Sequence, residues 1–195
     1  MASSNGILTA ILGAVLGAVR GDRTRQSPQA PPARPRARLK RGADVGSGSA
    51  VLVEAGRTVG AETVRIDPDR LGSLVISYSP ERDGAPDAGE VVWTWVPYEE
   101  NDGRGKDRPV LVIGRQSTER VYAVRMTSKA HDRDRDFLSI GTGSWDSQGR
   151  ESWVDIEQLY SVHERGLRRE AAVLDKRRFG RVAQALVQRY GWTVG

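Results

Sequence analysis

Cysteine is absent from the 195 residues, which excludes disulfides and thiolate metal sites and fits a reducing, cytoplasmic setting. Histidine is scarce: His131 and His163 stand far apart, so clustered imidazoles for a zinc site are excluded. Several catalytic signatures are also missing. The chain has no GxSxG elbow, no HExxH, no GxxxxGK[ST] and no GxGxxG before a helix. No apolar run reaches the about twenty residues of a membrane-spanning helix. ILTAILGAVLGAV, Ile7 to Val19, is uncharged but has thirteen residues. Its Gly13–Gly17 pair and the Ala10, Ala14, Ala18 repeat suit close helix contacts. Residues 1–20 therefore read as an apolar segment that is either a local self-association helix or a short membrane anchor. No basic residue precedes the run and no clear A-x-A site follows it, against a signal peptide.

The net charge of +5 conceals an uneven distribution. Residues 20–42 hold eight Lys/Arg and one acid, a segment charge of +7, which leaves −2 for residues 43–195. The basic character is that of a tail, and the pI does not argue for a polyanion-binding body. RQSPQAPPARPRARLKRG combines four prolines with like charges, so residues 21–60 read as a disordered linker. It either stays solvated or is drawn to RNA or anionic lipid, with membrane contact through residues 7–41.

Strand signals begin near Ala61. TVRI (Thr63–Ile66) and SLVISYS (Ser73–Ser79), separated by DPDRLG, predict a β-hairpin extension over residues 61–88. EVVWTWV, PVLVIGR, VYAVRMTS, FLSIGTG and SWVDIEQLYSV follow as short strands with Gly/Asp turns, a pattern that argues for a small barrel over residues 89–195. Asp175 then reads as the N-cap of KRRFGRVAQALVQRY, whose Phe179, Val182 or Ala183, Leu186 and Tyr190 form one apolar stripe, with Gly191 at C′. The fold class is mainly β with a C-terminal helix.

Four segments stand in a suggestive order: GEVVW (Gly89–Trp93), KDRPVLVIG (Lys106–Gly114), VYAVRMTS (Val121–Ser128) and IEQLYSV (Ile156–Val162). This order resembles the MazF/PemK family of toxin ribonucleases over just over half of the chain. The resemblance implies an SH3-like barrel with a C-terminal helix and a homodimer. It implies cleavage of single-stranded RNA without metal or cofactor, and restraint by an antitoxin protein. It places the catalytic arginine on Arg108, the Thr-Ser pair on Thr127 and Ser128, and the late acid on Glu157. Lys106, Arg104, Lys129, His131 and Trp145 are the expected RNA contacts.

These residue types suit the chemistry. Arginine stays charged and its fork of donors matches phosphate oxygens. Hydroxyls donate to a phosphate or orient a 2′-OH. Pro109 biases Arg108 to extended backbone. The chain departs from its relatives in the loop EENDGRGKD, which lacks a histidine and is acid-rich, and at Asp155, where some relatives carry arginine. The rival from another class is an inactive SH3-like module that binds without turnover.

Overall fold

The computed structural model describes residues 55–81, 84–100 and 102–195. The apolar segment Ile7–Val19 and the basic stretch 21–42 lie outside the described residues. Among the described residues no helix is long and apolar enough to cross a membrane.

The main sheet is antiparallel throughout. Its strands are β1 (Val64–Ile66), β3 (Glu90–Pro97), β4 (Gly105–Arg115), β5 (Arg120–Thr127), β6 (Phe137–Gly141), β7 (Ser152–His163) and β8 (Arg168–Val173). They run in the order β1-β7-β5-β4-β3-β8, with β6 beside β7. A second, parallel pair joins β2 (Val75–Ile76) to β9 (Thr193–Val194). The helix α1 (Lys176–Tyr190) starts as expected: the Asp175 carboxylate accepts the Arg178 N–H at 3.0 Å. It ends at Gly191, whose φ of 71° is the left-handed cap conformation.

Three expectations are corrected here. First, the sheet does not close into a barrel. Among the described residues no ladder joins β1 to β8. The Thr63 and Thr94 hydroxyls meet at 2.6 Å, and Thr94 donates onward to the Gly166 carbonyl at 2.6 Å, so a side-chain contact draws the β1 end toward β3 without a ladder. Second, residues 63–66 and 73–79 do not form a hairpin. β1 pairs with β7 and β2 with β9 instead. Third, residues 55–60 do not belong to a disordered linker. The Trp95 N–H donates to the Ala55 carbonyl at 2.7 Å and the Thr63 N–H to Gly56 at 3.0 Å, which continues the β3 edge beyond β8.

Strand alternation sorts the apolar residues onto two faces. One face buries Val91, Leu111, Ile113, Val124, Met126 and Leu159 against Phe179, Val182, Ala183 and Leu186 of α1. The other gathers Val92, Val96, Val110, Val112, Val121, Ala123, Tyr160 and Val162, with Leu167 packed beside them. Thr94 sits among the residues of the second face, fully buried. Thr94→Val keeps the shape of that side chain but strands the Gly166 carbonyl and the Thr63 hydroxyl. Urea denaturation is expected to show a loss of about 1–3 kcal/mol; an unchanged midpoint would mean the threonine bridge carries no stability.

Candidate active site

β4 enters the site from a loop whose charges are already paired. The Tyr98 N–H donates to the Arg104 carbonyl at 3.0 Å, and the Arg104 guanidinium binds Asp102 at 2.6 Å. The backbone N–H of Arg104, and then its guanidinium, hold the Asp102 carboxyl below its usual range. On β4 the next charges alternate between faces. Asp107 lies opposite Trp95 and binds Arg168 at 2.8 Å. Arg108 lies opposite Thr94, and its side chain leaves from the second face.

Arg108 is half-buried, and no described residue forms an ion pair or hydrogen bond with its side chain. Burial pushes its guanidinium below its usual range, and the positive charge of Arg125 pushes it further. Arginine remains charged at any ordinary pH, so this is a cation held without a counter-charge from the described protein. Lys106, Arg108, Thr127, Ser128 and Trp145 border one cleft of about 460 Å³, and Asp107, Asp146, Glu170, Arg150 and Arg168 line it with them. The Thr127 Oγ1 accepts the Lys129 N–H at 3.2 Å, which fixes the oxygen and leaves the hydroxyl proton free to donate. Ser128 and Lys129 are exposed beside it.

Other expected residues fall elsewhere. Glu157 and Arg104 line a different, larger cleft of about 1070 Å³. The cause is a wide bulge: Val124 pairs with Leu159 and Met126 with Val154, so Arg125 alone faces Asp155–Gln158. At the bulge the Glu157 side chain is 53% exposed and approaches Arg189 on α1 at 3.9 Å. His131 does not line the cleft; its ring stacks on Phe137 at 3.6 Å, with Nδ1 3.3 Å from Asp134. Trp145 borders the cleft but is only 4% exposed, and its Nε1 donates to Ser152 at 3.1 Å. A core tryptophan offers no open ring face for base stacking, so that expectation is corrected.

The bulge also assembles residues that the sequence reading passed over. The Asp155 carboxylate accepts the N–H groups of Glu157 and Gln158 at 3.0 and 3.2 Å on one oxygen, and Arg125 at 2.5 Å on the other. Gln158 Nε2 donates to Glu99 at 2.6 Å, and Tyr160 donates its hydroxyl to Gln158 Oε1 at 2.5 Å. Charge-changing pairs one strand apart, such as Arg125 and Asp155, leave no periodic signal in a sequence. A lone arginine inside an otherwise apolar strand was the one available cue.

The architecture is an α+β domain with one helix on an antiparallel sheet. The chain belongs to the PemK-like, MazF-like toxins of type II toxin–antitoxin systems, whose family model matches residues 87–189. Among solved structures it is similar to MazF from Deinococcus radiodurans, at 21% identity over 55% of this chain and 97% of that one, with a TM-score of 0.44. A MazE–MazF complex from the same organism gives 21% identity, 55% and 96% coverage, and a TM-score of 0.43. A mycobacterial endoribonuclease in complex with its cognate antitoxin gives 18%, 55% and 96%, and 0.43. No curated protein matches the chain.

Burial raises the Tyr160 phenol from its ordinary value of 10.0 to about 12, with Arg125 opposing the shift. The neutral phenol is the form the fold favours. Its contribution to stability is therefore complete below pH 10 and is lost as the pH rises through about 12. Burial also raises Tyr190, so phenolate absorbance during an alkaline titration should show late ionisation whose last step Tyr160→Phe removes. Titration of Tyr160 together with the partly exposed Tyr78, Tyr98 and Tyr122 would refute the buried network.

Proposed function

We propose that the chain is a metal-independent endoribonuclease that cleaves single-stranded RNA, the toxin of a toxin–antitoxin pair. The observation that carries this reading is the half-buried Arg108 guanidinium, without a described counter-charge, on a residue that borders the same cleft as Thr127, whose Oγ1 is fixed by the Lys129 N–H. A phosphodiester is the anion such a cleft suits. In the proposed reaction the ribose 2′-oxygen attacks phosphorus as it loses its proton. The bond from phosphorus to the 5′-oxygen breaks, and that oxygen takes up a proton. The products are a 2′,3′-cyclic phosphate and a 5′-hydroxyl end. Arg108 neutralises the charge that grows on the non-bridging oxygens, and Thr127 donates to one of them. Electrostatic help of this kind acts most strongly where water is displaced. Lys106, Ser128 and Lys129 extend the cationic and hydroxyl edge toward the flanking backbone. Glu157 is assigned to the bulge and to Arg189, and proton transfer is left to other groups.

A cytoplasmic homodimer restrained by a protein antitoxin completes the reading, on the strength of family membership. One observation favours the rival module that binds without cleaving: the expected carboxylate, Glu157, lines a cleft other than that of Arg108. Both readings are tested by incubating the full-length protein with a long single-stranded RNA in EDTA. Fragments with 5′-hydroxyl ends are expected, with Arg108→Ala cutting roughly 10²–10³-fold more slowly at an unchanged melting temperature. RNA binding without fragments from a folded protein would select the module.

A further inference from the structure

β5 brings a second arginine to Arg108. Arg125 pairs with Val110 on β4, two residues along from Arg108, and leaves from the same face of the sheet. Its side chain is 18% exposed. Of its five N–H donors, one is bound to Asp155, while the Nε is buried and has no partner among the described residues. Asp155 cannot serve both guanidiniums, because its other oxygen already holds the bulge through Glu157 and Gln158. The fold thus sets two like charges near one another and gives a carboxylate to Arg125 alone. Two arginines so placed repel until an anion arrives, and a phosphate oxygen offers what the idle donors lack.

We infer that Arg125 is a second phosphate-binding arginine of this site, taking the phosphodiester backbone of single-stranded RNA, and that Asp155 is the residue that aims it. The inference deepens the ribonuclease reading and rests on it. Arg108 serves the scissile phosphate, and Arg125 adds a cation that holds the strand in place.

The test uses the full-length protein and an uncleavable 2′-O-methyl oligoribonucleotide, with affinity measured across a series of salt concentrations. Cleavage of ordinary RNA and the melting temperature are followed in parallel. Arg125→Met is expected to bind about tenfold more weakly and to flatten the slope of log affinity against log salt by about 0.7. Arg125→Lys keeps the charge and should restore the slope without the full affinity. A merely structural arginine would change the melting temperature and leave the slope alone. If the wild type binds and cleaves and Arg125→Met matches its affinity and slope, the inference falls and the ribonuclease reading stands. A folded wild type that neither binds nor cleaves RNA overturns both. Should Arg125→Met fail to fold, Arg125→Lys decides: lower affinity at an unchanged slope supports the inference, and unchanged affinity sinks it.

Discussion

Asp155 is 1% exposed, and both of its carboxylate oxygens are in use. Desolvating a charge is costly unless it is paired and hydrogen-bonded, so this position tolerates an acid only because Arg125 and two backbone N–H groups converge on it. The same contacts close the bulge. With Asp155 capping Glu157 and Gln158, β7 gains the extra residues that face Arg125, and the alternation of its side chains resets before Leu159. Everything downstream on β7 depends on that reset. Leu159 turns to the helix side, while Tyr160 and Val162 turn to the second face. Gln158 is left to link Tyr160 to Glu99.

The unpaired state of Arg108 follows from how strand alternation divides charges. Its chain neighbour Asp107 is only one residue away but points to the opposite face, where Arg168 takes it. Two acids of the preceding loop are engaged at short range, Asp102 by Arg104 and Glu99 by Gln158. Asp155, the acid held by Arg125, is committed to the bulge. A sequence so rich in carboxylates near Arg108 therefore still leaves it available. Net charge would suggest a neutralised loop; geometry shows a sorted one.

How much of this was legible beforehand varies with the range of the signal. The helix was, cap to cap, because Asp175, the apolar stripe and Gly191 act within a few residues of one another. The strands β3 to β7 were, because β-branched runs bounded by turn residues are local features. Arg108 and Thr127 were placed by motif and do border one cleft. Glu157 was not, since its direction depends on a bulge whose cause is the buried partner of a residue on another strand. Nor was the partnership of residues 63–66 with β7, a choice made across nearly the whole domain. Trp145 looked like a loop aromatic, and only packing shows that it closes the core against Ser152.

The residues before the family match are part of the same argument. Residues 55–66 lie ahead of position 87, where the family model begins, yet they are built into the sheet. β1 is a ladder partner of β7, Arg120 donates to the Glu62 carbonyl at 2.8 Å, and Ala55 completes the β3 edge. Thr63 reaches the buried Thr94 directly. Thr94 is the ladder partner of Arg108, so the extension is one side chain removed from the proposed catalytic arginine. Stripping the chain back to the family-length segment would unpair a strand edge and leave the Thr94 hydroxyl with one partner fewer. It would also remove the side-chain contact that draws the β1 end toward β3. The folding unit that positions Arg108 is therefore longer than the segment by which the family is recognised.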